Sequence, residues 1–358
     1  MSDQYKIIID ELGKDHLLQD EPMARHTTFA IGGPADLFYV AQTADELIGA
    51  VNLAKARKIP YFILGGGSKI LVGDKGIRGL VIHNKTVVVE VINSSFIIHP
   101  SSLTKTQPRF GQADEDQFIK FNDLDYDESK YDRVLVKVDS GVMVPVLITN
   151  LISQDITGLE WFARIPASVG GAIYMNMHGA NRFLGNLVVS ARILDAAGNI
   201  KTVDQSYFQF DYDYSILHKT LEVVLDVTLA LYKGDRQKAL TIATEWAKRK
   251  SKVQTPTSAG SIFRNLSVVD MTRLKLPTPA AGYVIDHLLG LAGTKIGQAQ
   301  ISTKHANFIV NLGGAKATDV LELVKLCQEQ AQQKLGLELA EELLYVGEFG
   351  KQMDGEMN

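Results

Sequence analysis

The feature that most constrains this 358-residue chain is a strand that runs straight into glycine, Tyr61-Phe62-Ile63-Leu64 followed by Gly65-Gly66-Gly67-Ser68. Aromatic and β-branched residues favour an extended strand. Three glycines at its end let the backbone turn sharply or come close to a ligand. Upstream, Leu37-Phe38-Tyr39-Val40 reads as another strand. Thr43-Ala44-Asp45-Glu46 then opens an apolar-periodic helix to about Arg57, with Thr43 as its cap. Strand, helix, strand is an α/β unit. The loop is not a P-loop, which needs Gly-x-x-x-x-Gly-Lys-Ser/Thr, nor a Rossmann Gly-x-Gly-x-x-Gly turn. It is either a tight turn or a cradle whose bare N–H groups hold a diphosphate.

A second small-residue loop, Ile165-Pro166-Ala167-Ser168-Val169-Gly170-Gly171-Ala172, lies about a hundred residues on. Pro166 fixes one φ angle, and Gly170-Gly171 lets the chain pass close to a flat or anionic ligand. Two such loops suggest one extended dinucleotide gripped by two subdomains. Between them, Thr86-Val87-Val88-Val89-Glu90-Val91 and Val134-Leu135-Val136-Lys137-Val138 are strand-like. They flank an acidic, apolar-poor stretch over about 92–132, including Asp114-Glu115-Asp116 and Asp123 to Glu128, which reads as a solvated insertion. A site for a cationic partner is the alternative there. Strand-like runs at Leu187-Val188-Val189-Ser190 and Leu221 to Val227 enclose a hairpin turn, Asp195-Ala196-Ala197-Gly198-Asn199. Residues 235–250 carry helical periodicity, and Leu343-Leu344-Tyr345-Val346 is a closing strand.

Length implies two or three domains. Hydrophobic content of 46% with 22% charged residues suits a globular chain with a real core, and a net charge of −4 gives no case for nucleic acid. The single cysteine, Cys327, lies in a helix-like run and is expected to be buried and apolar in role. The start, Met1-Ser2-Asp3-Gln4-Tyr5-Lys6, lacks a signal-peptide pattern, and no apolar run is long enough to span a bilayer. A cytoplasmic, monomeric protein without membrane insertion is expected. His26, His178 and His305 show no metal-ligand spacing, so no metal is expected.

The third region opens on Ser258-Ala259-Gly260-Ser261-Ile262-Phe263-Arg264-Asn265. Small residues there free the Ser261 hydroxyl to face a ligand, with Arg264 and Asn265 as polar contacts. Together with Thr27 to Ala35, Leu64 to Leu71, Gly158-Leu159-Glu160, Ile165 to Ala172, Met175-Asn176, Ala281 to Asp286 and Ile296 to Asn311, this segment resembles the UDP-N-acetylenolpyruvoylglucosamine reductase (MurB) family. The blocks run collinearly from about residue 22 to 348, and the third region resembles the shorter family subtype.

The resemblance implies an α+β chain with an FAD-binding fold of the vanillyl-alcohol-oxidase (PCMH-like) type in two subdomains and a C-terminal α/β substrate domain. The expected divisions are 1–85, 86–232 with the insertion, and 233–339, with the segment 340–350 returning near the site. It implies non-covalent FAD, held by Gly65, Gly66, Gly67, Ser68, Lys69, Ile70, Ile165, Pro166, Ser168, Gly170, Gly171, Ala172 and Asn176. It implies NADPH as reductant and a nucleotide-sugar substrate, whose enolpyruvyl group is reduced for peptidoglycan precursor synthesis. Ser261 falls on the family's proton donor and Glu342 on its catalytic glutamate, with Arg264, Asn265 and Lys252 as substrate contacts.

Several positions depart from the family. The expected arginine of a Tyr-Arg-Asp/Asn-Ser block is Asp213, in Phe210-Asp211-Tyr212-Asp213-Tyr214-Ser215. Two like charges about 4 Å apart cost on the order of 4 kcal/mol at an effective dielectric near 20, so an ionised Asp213 facing a substrate carboxylate is hard to sustain. The asparagine after Gly-Gly-Gly-Ser is Lys69, the glycine before Ile-Pro is Arg164, and Gly-Ala-Tyr-Gly after Met-Asn becomes Met177-His178-Gly179-Ala180-Asn181-Arg182. Three readings follow: a working reductase in which Arg164 or Arg182 supplies the lost cation, a flavoenzyme with a different substrate, or a flavin-binding paralogue without catalysis.

Overall fold

The computed structural model describes residues 3–92, 124, 126–128 and 130–349. Most of the acidic insertion, including Asp114-Glu115-Asp116, Asp123 and Asp125, lies outside the described residues. The helix α1 (Asp3–Leu12) is followed by β1 (Leu17–Pro22), β2 (Pro34–Ala41), α2 (Ala44–Ala56), β3 (Tyr61–Leu64), β4 (Ile70–Val72) and β5 (Ile77–Asn84). Thr43 caps α2 in a capping box with Glu46. The first sheet has the order β1-β2-β5-β3, antiparallel between β1 and β2 and parallel elsewhere.

The second unit opens at β6 (Val89–Ile92) and continues through β7 (Arg133–Asp139), α3 (Val144–Ser153), β8 (Ile156–Thr157), α4 (Val169–Tyr174), the short hairpin β9 (His178–Gly179) and β10 (Arg182–Phe183), β11 (Val188–Leu194), β12 (Ile200–Asp204), α5 (Leu217–Thr220) and β13 (Val223–Lys233). Its antiparallel sheet runs β12-β11-β13-β7-β6, with β8 also paired to β13. The strand expected from Thr86 starts at Val89 instead. Thr86 is fully buried, its hydroxyl accepting from Gly141 N at 3.0 Å and donating to Asn84 at 2.9 Å, so it serves as a brace rather than a ladder residue.

The third unit holds α6 (Arg236–Val253), α7 (Val268–Arg273), α8 (Ala281–Tyr283), the antiparallel β14 (Lys295–Ile296), β15 (Ala299–Ile301) and β16 (Ile309–Asn311), and α9 (Ala317–Leu335). The helix α6 runs three residues past the expected end at 250, because no breaker intervenes before Pro256. Finally β17 (Leu344–Val346) crosses back and pairs in parallel with β4. Leu344 N donates to the Lys69 carbonyl at 3.1 Å.

The cores interlock. Phe29, Ile31 and Leu71 of the first unit pack in the cluster that holds Phe263, Val284 and Cys327, which is buried as expected. Leu194, Val223 and Leu225 pack among first-unit residues. Among the described residues no helix is long and apolar enough to cross a membrane, and no group of three or more His, Cys, Asp or Glu stands together as a metal site.

Asp74, in the first unit, supplies the N-terminal acceptors of α9, taking Ala317 N at 2.7 Å and Thr318 N at 3.1 Å. Asp74→Ala is expected to cost about 1–2 kcal/mol, as loss of a helix cap does, read as a lower urea midpoint. Asp74→Asn should keep most of that stability.

Candidate active site

Two glycine loops and one extended segment build the site. The first loop and the second touch each other: a Cβ on Gly65 would overlap the Ser168 hydroxyl, and one on Gly66 would overlap the Pro166 carbonyl. Ser168 is buried and caps α4, its hydroxyl accepting from Gly171 N at 3.3 Å. Between the units lies a cavity of about 1280 Å³. Its walls include Gly65 to Ile70, Ile165, Pro166, Ser168, Gly170, Gly171, Ala172, Asp213, Ser261, Asn265 and Glu342, all anticipated from sequence.

Ser261 is held in an extended segment between two others. Ile262 N donates to the Asn307 carbonyl at 2.8 Å, while Glu342 N donates to the Ile262 carbonyl at 2.8 Å. The Asn307 side chain accepts from Phe263 N at 2.9 Å and donates to Phe263 O at 2.8 Å, substituting for a strand neighbour. Arg264 N donates to the Ala340 carbonyl at 2.8 Å. This three-layer ladder fixes Ser261 and Glu342 side by side, although 81 positions (342 minus 261) separate them in sequence.

Four charged or titratable groups then meet. Lys69 Nζ contacts Glu342 Oε2 and donates to the Ser261 carbonyl at 2.9 Å. His178 Nδ1 lies 3.3 Å from Asp213 Oδ1. Asp213 and Glu342 are both buried, close enough for each to shift the other's ionisation. Burial, then the charge on Asp213, pushes the Glu342 carboxyl up to about 8, against the pull of Lys69. Burial opposes ionisation of Asp213 too, yet His178 beside it and the charge of Lys69 hold it well below the usual carboxylate range. Near neutral pH the one proton of the pair therefore rests on Glu342.

Local structure explains Asp213. It stands in a tight turn closed by mutual bonds of Asp211 and Tyr214, with φ of +48°. Asp is among the few non-glycine residues that adopt this left-handed region readily. Asn176 braces the turn, its amide donating to the Asp211 carbonyl at 2.9 Å and its oxygen accepting from Gly185 N at 3.0 Å.

Some expectations are corrected. Asn176 is fully buried behind the cavity wall and braces the Asp213 turn instead of lining the flavin site. Lys252 is exposed on α6 and does not line the cavity, whereas Lys250, half a turn earlier, does. Arg264 does not line it either, and its Nε is buried. Arg182 does not supply a cation there: it pairs with Glu128 at 2.8 Å and stacks over Trp161. Arg164 lines the cavity but is exposed. Sequence reading missed His178 as a site residue, and Trp246 and Lys250 on the cavity wall. His178 is visible in sequence only as part of a departing segment.

The cavity fits a flavin dinucleotide. It exceeds the roughly 300–1,000 Å³ of ordinary small-ligand sites, which leaves room for a second ligand. Apolar walls at Leu64, Ile165, Ala172 and Val224 suit a flat ring, and Asn84, Ser68 and Ser140 add polar contacts. Fold, site and likeness to known proteins together define an FAD-dependent oxidoreductase. The sequence model of an FAD binding domain matches residues 116–204, and that of the UDP-N-acetylenolpyruvoylglucosamine reductase C-terminal domain matches residues 251–346. The chain is 31% identical over 349 residues to a UDP-N-acetylenolpyruvoylglucosamine reductase of Alkaliphilus oremlandii, covering 96% of this chain and 98% of that relative. It is 30% identical over 351 residues to one from Clostridium botulinum strain 657, with the same coverage. The crystal structure of UDP-N-acetylenolpyruvylglucosamine reductase (MurB) from Thermus caldophilus matches with a TM-score of 0.65 at 26% identity, over 92% of this chain and 98% of that one. The chain belongs to the UDP-N-acetylenolpyruvoylglucosamine reductase family.

Gly66→Ala tests the contact between the two loops. The new Cβ meets backbone, which cannot swing aside, so the loops must part. The purified variant is expected to retain less than about a tenth of the wild-type flavin absorbance per protein, a loss of the scale that overpacking brings.

Proposed function

We propose that this protein reduces UDP-N-acetylglucosamine enolpyruvate to UDP-N-acetylmuramate with NADPH, a step of peptidoglycan precursor synthesis. The observation that carries the reading is the placement of Ser261 and Glu342 together on the cavity lined by both glycine loops. Bound FAD supplies two-electron hydride chemistry. Hydride arriving at the methylene carbon of the enolpyruvyl group puts carbanion-like charge on its neighbour and into the carboxylate. Ser261 gives its proton to that neighbouring carbon, completing the lactyl ether. Glu342, protonated, donates a hydrogen bond to the substrate carboxylate and stabilises the charge that develops there. Asn265 lines the same cavity as a further substrate contact. Family membership supports the substrate, and the size of the cavity supports room for a nucleotide sugar beside the flavin.

The test is anaerobic and optical. NADPH should bleach the flavin band, and UDP-N-acetylglucosamine enolpyruvate should restore it. Bleaching without reoxidation by this compound defeats the reading and leaves a flavoenzyme with another substrate. Ser261→Ala should still bleach with NADPH but form product about 10²–10⁴ times more slowly, the usual contribution of a positioned acid. Product formed at the wild-type rate would remove Ser261 from the role.

Glu342 acts in its protonated form, and its raised pKa keeps that form at neutral pH. Activity with the enolpyruvyl substrate should therefore hold below about pH 8 and fall as pH rises through that value. Glu342→Gln, which cannot ionise, should lower the rate and abolish this alkaline limb.

A further inference from the structure

Resting on the reductase reading above, we propose that Lys69 binds the carboxylate of the substrate, so that the cation of the reaction centre enters from the first glycine loop rather than from the turn at residue 213. An ammonium has three N–H donors. Lys69 places one on the Ser261 carbonyl at 2.9 Å and another on Glu342 Oε2. Its third donor has no acceptor among the described residues, and the side chain is 24% exposed on the cavity it lines. The two protein contacts are the backbone of the proposed proton donor and the carboxyl of the proposed charge stabiliser. An anion that takes the third donor therefore lies against both.

The charges around it agree. Asp213 would repel an anionic ligand if it faced the cavity alone. It is instead paired with His178 at 3.3 Å. With the proton on Glu342, the charge of Asp213 is matched within the cluster by Lys69, and the imidazole of His178 lies against Asp213. All four groups of the cluster line the cavity, and Lys69 brings the ammonium among them. An arginine at 213 is then unnecessary for holding a carboxylate, and the cations considered from sequence are placed otherwise: Arg182 is committed to Glu128, and Arg164 is exposed.

The experiment compares two ligands on the FAD-loaded protein, by titrating the oxidised flavin spectrum or by calorimetry. UDP-N-acetylglucosamine enolpyruvate carries the carboxylate, and UDP-N-acetylglucosamine lacks it. Lys69→Asn should weaken binding of the first by roughly 10- to 100-fold, the range of a charge-assisted hydrogen bond. Binding of the second should change by less than about threefold. Lys69→Arg, which keeps the charge, should recover part of the difference. A merely structural lysine would weaken both ligands alike, and that outcome overturns the proposal, as does a Lys69→Asn protein that binds the enolpyruvyl compound as tightly as wild type. Because binding is read directly, these outcomes decide the role of Lys69 even where wild-type protein binds the compound without turning it over, which would defeat the reductase reading alone. Wild-type protein that binds neither nucleotide overturns both.

Discussion

The structure depends on one short pairing, the parallel contact of Leu344–Val346 with Ile70–Val72. Three residues a side is a small ladder, and its hydrogen bonds add little free energy by themselves. What it contributes is register. With Leu344 beside Ile70, the residue two places before Leu344 and the residue one place before Ile70 meet, and these are Glu342 and Lys69. The same C-terminal run is held on its other side by the Ser261 segment through the Glu342 N bond to Ile262 O. A single crossing strand thus joins the glycine loop of the first unit to the serine of the third. Had the run slipped by one residue, Glu342 would point to the opposite side.

The sequence made the glycine-loop half of the site legible because its signals are local. Gly65 to Ser68 and Ile165 to Ala172 are contiguous, and the constraints on them act within a few residues: a strand end, a proline, a helix cap. Ser261 and Glu342 could be placed only through likeness to the family, since a serine in a small-residue loop and a glutamate among Glu338 and Glu341 are unremarkable alone. Asp213 and His178 were visible as departures, each odd and unexplained, and Lys69 as a departure within a loop expected to hold the flavin. Their meaning is pairwise and spatial. A charge reversal at 213 looks prohibitive in isolation, and it becomes tolerable when an imidazole and a protonated carboxyl close around it. Lys252 failed for a complementary reason: its position near the motif in sequence says nothing about which side of α6 it occupies, and the cavity meets Lys250 instead. Asn176 matched a family block, and its role is one layer back, in bracing the turn.

The reaction-centre cluster is poorly explained as a stabilising device. Buried ion pairs seldom contribute much net stability, because desolvation offsets the attraction, and apolar replacements of similar volume often do as well or better. Two carboxyls in contact make the balance worse, since one must hold its proton away from its ordinary range. Such arrangements concentrate where chemistry needs a group in an unusual protonation state. Here the unusual state is a neutral carboxylic acid at neutral pH, which can donate a hydrogen bond where a carboxylate could only accept one.

That reasoning also separates the two acids. If Asp213 merely replaced an arginine and lost its function, nothing would require it to be ionised, and burial would favour its neutral form. Its surroundings do the opposite: the His178 ring and Lys69 both favour the anion. An anionic Asp213 is what raises Glu342, second only to burial. The acid at 213 therefore acts on the proton held by its neighbour, while the positive charge toward the cavity comes from Lys69. On the proposed assignment, position 213 sets protonation and position 69 meets the anion, two tasks on two residues, each next to Glu342.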